Sequence, residues 1–362
     1  MTLLEVEPSS PERSRHQKSS ITAGQLGRKW HIVIVVSSIL VGALTWVPTG
    51  SVNWARWVIV ALVTYCVGVY VAARLVEGRR KAMDRLMTAL ITGAFALVSL
   101  PLISVVWTVV ERGSSRFDVE FFTSSMRGVV GEGGGAYHAI VGTLIVTALA
   151  TAMSVPVGLF TAIYLVEYGN GRRLARAIAT MVDVMTGIPS IVAGLFAYAV
   201  FVAAFGPGAR SGIAGAVALT VLMTPVVVRS SEEMLRLVPN ELREAATALG
   251  VPKWKVIVKV VLPTAISGII TGIMLAIARV IGETAPLLVT AGIAQGVNWN
   301  PFDGRMTTLP VYTYYQYVQP GVPPEAGQDR AWTAALTLML IVMALFTLAR
   351  ILSTVLQPKG LK

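Results

Sequence analysis

Residues 229–268 read RSSEEMLRLVPNELREAATALGVPKWKVIVKVVLPTAISG. This polar, basic segment lies between two apolar runs, at about 213–229 and 264–292, and it is longer than a simple connection requires. It carries its own helical punctuation. Pro239 and Asn240 precede ELREAATALG, in which Leu242, Ala245, Ala246 and Leu249 recur at helical spacing and Gly250 stands at a C-cap position. A second short helix starting near Pro252 follows, and both would lie against a membrane rather than cross it. The small side chains of Ala245 and Ala246 beside Glu244 let another surface approach the helix backbone, and Gly250 permits a tight exit turn. That suits a helix docking in a groove on another protein; an ordinary amphipathic interfacial helix has the same pattern.

The rest of the chain supplies the membrane. Of 362 residues, 54% are hydrophobic and 14% charged, and the charges crowd into short segments between long apolar runs, the profile of a polytopic membrane protein. A hydrocarbon core of about 30 Å needs roughly 20 apolar helical residues. Windows at about 31–48, 57–77, 86–110, 138–167, 177–205, 213–229, 264–292 and 331–352 meet that need, some only if tilted or kinked. About eight crossings put both termini on one side. That side holds Arg13, Arg15, Lys18, Arg28 and Lys29, then Arg74 to Arg85, Arg172 to Arg176, Arg229 to Lys259, and finally Arg350, Lys359 and Lys362. The other holds only Arg56, Arg112, Arg116, Arg127, Arg210, Arg305 and Arg330. By the positive-inside rule the first side is cytoplasmic, and the net charge of +11 is accounted for without nucleic acid. About 30 polar residues precede the first apolar run and no small-residue cleavage pattern follows it, so that run reads as a retained anchor.

Several chemistries are absent from the pattern. The GEGGG at 131–135 opens no strand–turn–helix unit, and the chain contains no Gly-Lys dipeptide, which excludes a Walker A loop. His16, His31 and His138 are scattered without metal-ligand spacing. The single cysteine, Cys66, sits in an apolar run as a small core residue and forms no intramolecular disulfide. Two long outer segments remain, about 111–137 and 293–330; the second contains LPVYTYYQYVQPGVPP. Its aromatic residues are expected along the outer surface, as an interfacial belt or a docking site for a partner.

Glu244-Ala245-Ala246, three residues, Gly250, nine residues, then Val260-Val261-Leu262-Pro263 resembles the EAA signature of ABC-importer permeases, with Val260 in place of the usual Ile. The resemblance implies a coupling helix that sits on an ATPase subunit, with Glu244, Ala245, Ala246, Gly250, Leu262 and Pro263 as its signature positions. AIYLVEYG (162–169), GIPSIVAGLFAY (187–198), REAATALGVPKWKVI (243–257) and SGIITGIMLAIARVIGETAPLLVTA (267–291) further resemble the permease subunits of high-affinity bacterial phosphate importers. This likeness covers about residues 86–355 as six crossings; residues 1–85, with two extra helices, have no counterpart in the usual pattern.

Arg279 and Glu283 interrupt the run MLAIARVIGETAPLLVTAG at 274–292. At 1.5 Å per residue Arg279 lies about 24 Å along the helix from Pro263, inside the bilayer. A central charge costs roughly 2.5 to 3.5 kcal/mol on insertion scales, so neither should face lipid. Their i, i+4 spacing predicts one shared helical face, where they would pin helix to helix as an ion pair or line an anion pathway. A guanidinium fork suits phosphate oxygens. The resemblance implies that Arg279 and Glu283 serve passage of phosphate, with the adjoining Thr284; Glu283 would hold Arg279 between transport events, because conduction needs weak as well as favourable binding. Pro286 predicts a kink beyond the charges, and Pro156 and Pro189 predict kinks in the fourth and fifth crossings. Thr186 and Ser190 could face the cytoplasmic end of the pathway or bond back to their own helix; Asp183 is expected to pair with a loop arginine.

The expected architecture is an all-α polytopic membrane protein with the type I ABC-importer permease fold, a six-helix core preceded by two extra transmembrane helices. Its segments would be a cytoplasmic tail (1–30), a two-helix segment (31–85), the permease domain (86–355) with its coupling loop (229–263), and a cytoplasmic tail (356–362). The resemblance implies a non-enzymatic permease subunit of a phosphate importer in the bacterial inner membrane, with a permease for another oxyanion (phosphonate or sulfate), or an ATP-independent carrier, as alternatives. The implied partners are a sister permease subunit, two copies of an ATP-binding subunit and an extracytoplasmic phosphate-binding protein, besides phosphate and membrane lipid, and no nucleic acid. No cofactor is expected in this chain, since ATP and magnesium would be bound by the ATPase subunits.

Overall fold

A computed structural model of the chain describes residues 27–44, 54–169 and 171–355. The tails expected at either end, with Lys359 and Lys362, lie largely outside the described residues. Among those residues every regular element is a helix, as the apolar runs require, because a backbone in hydrocarbon must satisfy its own polar groups.

The chain divides into two compact units, Met1–Val105 and Val106–Lys362. The first holds α1 (Arg28–Leu44), α2 (Trp54–Val76) and most of α3 (Arg79–Gly113). Ile34, Val69, Ala73 and Ala82 form its small core. Gly78 turns the chain from α2 into α3 at φ +87°, a left-handed conformation that glycine reaches without steric penalty. Beside this turn Glu77 accepts two hydrogen bonds from Arg85, at 2.6 and 2.7 Å.

The second unit continues with α4 (Val119–Thr123), α5 (Tyr137–Ile163), α6 (Arg173–Thr186), α7 (Ser190–Phe205), α8 (Gly212–Arg236), α9 (Asn240–Ala248), α10 (Lys253–Val256), α11 (Leu262–Ile281), α12 (Ala285–Thr290), α13 (Leu309–Val318) and α14 (Pro324–Val355). Its core runs through Val146, Ala150, Leu219, Met223, Val227, Val280 and Leu287, so α5, α8, α11 and α12 pack around one another. Small residues set the spacing: a Cβ on Gly158 would lie 2.7 Å from Val227 Cγ1, and one on Gly272 would lie 2.5 Å from Ser230 Cβ. Close backbone approach through such residues is how helices associate in lipid, where apolar burial offers little net gain.

Among the described residues six helical stretches are long and apolar enough to cross a membrane: Arg56–Val76, Arg79–Gly113, Tyr137–Tyr168, Gly212–Arg236, Lys253–Ile281 and Pro324–Ile351. The window expected as a single crossing at 177–205 is instead α6 and α7, bent by 108°. Gly187 ends α6 and Pro189 precedes α7, so the chain turns where proline cannot continue the helix. Counting that pair gives up to seven crossings, and α1 is apolar but shorter; the expected eight would require both.

The structure adds three local details. The seventh crossing does not begin after Pro263, since α10 joins α11 through a π-helical turn, Ile257–Val261. The aromatic stretch of the outer segment is a helix, α13, whose Tyr312 and Gln316 are buried. The glycine cluster is a clasp: Arg330, only 4% exposed, donates through Nη1 to the carbonyls of Gly131 and Gly133 at 2.8 and 3.0 Å, and Arg116 donates to the Gly134 carbonyl. Burial pushes the Tyr312 phenol above its usual range, partly offset by the charges of Arg330 and Arg116.

Candidate functional site

α9 is the helix expected from ELREAATALG, and none of its residues is buried. Its exit is a Schellman turn: the Gly250 amide donates to the Thr247 carbonyl at 2.9 Å and the Val251 amide to the Ala246 carbonyl at 3.3 Å, with Gly250 at φ +75°. Ala246 and Val251, at the two ends of that turn, pack on a buried cluster of Leu235, Val238, Val256, Val261 and Ile269. Leu262 packs on the same cluster. The signature residues therefore divide: Ala246 and Leu262 seat the loop on α8 and α11, while Glu244, Ala245, Gly250 and Pro263 are exposed. Leu249 (83% exposed) and Trp254 stand out beside them, an apolar surface of the kind that marks a docking site.

Arg243 fastens this helix to the membrane helices. Its Nε donates to Glu167 Oε1 at 3.0 Å, Nη2 to the Leu235 carbonyl at 2.8 Å, and Nη1 to the Val238 carbonyl and Asn240 Oδ1. Glu167 lies in a second π-helical turn, Tyr164–Tyr168, at the end of α5, and its side chain is 7% exposed. Lys253 donates to the Glu167 carbonyl and sits over the Tyr168 ring. Arg243, Glu167 and Lys253 were not assigned a role from sequence. Both Arg243 and Glu167 lie in the quoted motif segments, but 76 positions separate them and no spacing rule pairs them.

Beside this anchor, Arg229 near the end of α8 pairs with Asp183 of α6 and with Glu232, which also holds Arg236. Asp183 thus has the arginine partner expected for it, on a helix rather than a loop. The Thr186 hydroxyl donates to the Asp183 carbonyl at 2.6 Å, the local alternative to facing a pathway. Ser190 opens α7 at the bend and is half-buried.

The intramembrane charges differ from expectation. α11 ends at Ile281, Gly282 caps it, and α12 starts only at Ala285. Arg279 is therefore in the last turn of one helix and Glu283 in the break, so the i, i+4 argument for a shared face does not hold. Among the described residues neither side chain enters an ion pair, and Glu283 does not hold Arg279. Pro286 is the cause: it has no amide proton for the Gly282 carbonyl four residues back, which moves the break upstream of the proline and between the charges. Arg279 is exposed; Glu283 and Thr284 are half-buried. Thr284 and Gly282 line a cavity of about 600 Å³ with Ile191, Leu288, Thr313 and Tyr314. Irregular backbone at membrane depth is tolerated where protein covers it or a cavity adjoins it.

Residues 154–361 match the protein family described as "binding-protein-dependent transport system inner membrane component". The chain belongs to that family. Its relatives include "Phosphate transport system permease protein PstA 1" of Mycobacterium tuberculosis (strain CDC 1551 / Oshkosh), 47% identical over 267 residues, covering 73% of this chain and 86% of the relative. PstA of Mycobacterium leprae (strain TN) is 47% identical over 277 residues, 75% of this chain and 89% of the relative. PstA of Pasteurella multocida (strain Pm70) is 38% identical over 275 residues, 75% and 95% respectively. As an inner membrane component of a transport system, the chain is a multi-pass membrane protein. The family match spans α6 to α14 and contains the anchored α9 and the broken α11–α12 segment, whereas α1, α2 and α3 lie ahead of it.

Proposed function

We propose that the chain is the PstA-like permease subunit of an ATP-driven importer that moves inorganic phosphate across the bacterial inner membrane. The observation that carries the reading is α9, a helix with no buried residue, closed by a Schellman turn and tied by Arg243 to the ends of α5 and α8. An ATPase subunit that moves α9 would move the buried cluster beneath it, and with it α8 and α11. Alternating access needs only two packings of those helices. Identity to phosphate permeases over most of the chain supports phosphate as the cargo.

In this reading the partners are a PstC-like sister permease, two copies of a PstB-like ATP-binding subunit and a PstS-like extracytoplasmic phosphate-binding protein at the outer segments. ATP and magnesium belong to the ATPase subunits, and both termini are cytoplasmic by the positive-inside rule. Glu244, Ala245, Ala246 and Gly250 form the ATPase contact, with Leu262 and Pro263 completing the signature. Arg279 draws phosphate into the membrane, Glu283 and Thr284 tune its release, and Thr186 and Ser190 border the cytoplasmic exit. An exposed Arg279 facing lipid would be costly; the sister permease and the pathway are what cover it.

The test is co-purification. The ATP-binding subunit should accompany the tagged wild-type chain and be lost from Glu244→Lys, whose reversed charge lies on an exposed surface and leaves the fold intact. Retention of the subunit by Glu244→Lys at wild-type level would contradict the assignment of α9.

A further inference from the structure

The unit ahead of the family match contains two cavities of opposite character. One, of about 440 Å³, lies where α1 begins, α2 ends and α3 starts; His31, Tyr65, Glu77, Lys81, Asp84 and Arg85 line it. The other, of about 480 Å³, runs deeper along the same helices past Trp57, Leu62, Ala96, Leu97 and Leu100. Tyr65 lines both, so a polar mouth leads into an apolar groove.

The charges at the mouth are not all spent on each other. Glu77 and Arg85 form a bidentate pair, and Arg85 also donates to His31 Nε2 at 2.9 Å, which requires that nitrogen to be unprotonated because a guanidinium has no acceptor. Lys81 and Asp84 remain. Among the described residues neither charged group enters an ion pair or a side-chain hydrogen bond, although Asp84 attracts the neighbouring Arg85 guanidinium through space, and the i, i+3 spacing of Lys81 and Asp84 on α3 puts them on one face. One ammonium and one carboxylate, neither of them in a direct ion pair, thus stand together above an apolar groove.

We propose that this unit binds one phosphatidylethanolamine molecule, with the lipid phosphate on Lys81, the headgroup ammonium on Asp84, and an acyl chain along the groove. The paired opposite charges match a zwitterion; an anionic headgroup would leave Asp84 facing negative charge. From Arg85 to Leu100 the helix rises about 22 Å, enough to follow a lipid through the roughly 15 Å of one leaflet. A soluble phosphate ester would leave the groove unfilled. The site is independent of the transport reading, since it uses only residues of the first unit.

The experiment is native mass spectrometry of the delipidated full-length chain in detergent, with phosphatidylethanolamine or phosphatidylglycerol added. Wild type should retain one phosphatidylethanolamine with about fivefold preference over phosphatidylglycerol, the scale of one interfacial charge contact. Asp84→Asn should abolish the preference while keeping lipid, and Lys81→Gln should weaken both lipids. Ala96→Trp, which fills the groove from an exposed position, should also weaken both. Equal retention of the two lipids, preference for phosphatidylglycerol, or retention unchanged in all three variants would overturn the proposal. So would binding of soluble phosphoethanolamine as tight as that of the lipid.

Discussion

At the residue scale, the seating of α9 depends on one guanidinium and one glycine. Arg243 makes hydrogen bonds to Glu167, Asn240 and two carbonyls at the end of α8, so Arg243→Ala strands a carboxylate whose side chain is 7% exposed. Removing one partner of such a pair costs roughly 3 kcal/mol. Detergent-solubilised Arg243→Ala should unfold at lower temperature than wild type, and phosphate uptake by the assembled complex should fall at least about tenfold. Glu167→Gln keeps an acceptor for Arg243 Nε and should lose less; equal losses would mean that an acceptor alone is not enough and the charge is required. Gly250→Ala forces φ +75° on a residue with a Cβ, at about 1 to 2 kcal/mol, and should weaken ATPase co-purification without abolishing it. Gly250 was legible in the sequence because a C-cap is a local signal. The Arg243–Glu167 pair was not, because its partners meet only when α5 and α9 have packed.

At the element scale, the apolar windows identified helices well and their interruptions poorly. Composition marks 264–292 as a single hydrophobic run, yet Pro286 withholds a donor from the Gly282 carbonyl and splits it into α11 and α12. The same chemistry at Pro189 turns 177–205 into a 108° corner. By contrast Pro156 and Pro225 lie inside α5 and α8 without ending either helix, so proline position alone does not decide between kink and break. Helix packing was equally hidden, because a glycine reads as flexible until its neighbour is known. Gly272→Leu would drive a side chain into Ser230, already 2.5 Å from an added Cβ. Overpacking of this kind costs about 1 to 3 kcal/mol, and a thermal-unfolding series in detergent should show Gly272→Leu below Gly272→Ala, with both below wild type.

At the scale of the whole molecule, the second unit carries the family match, and the first lies ahead of it with its own cavities. The all-helical architecture and the short helix α9 with its glycine exit were legible because both are written in local pattern: apolar length for one, helical spacing and a C-cap glycine for the other. The state of Arg279 and Glu283 was not, because it depends on where the helix stops. With Arg279 exposed and without an ion-pair partner among the described residues, Arg279→Gln should abolish uptake while leaving the ATPase bound; retained uptake would reduce Arg279 to a packing residue. The central claim, that one machine couples phosphate to ATP through α9, is tested most directly by ATP hydrolysis of the complete purified complex in liposomes with its binding protein. The account predicts hydrolysis stimulated by phosphate, unaffected by phosphonate or sulfate, and lost with Glu244→Lys. Hydrolysis indifferent to phosphate, or stimulated only by another oxyanion, would contradict it.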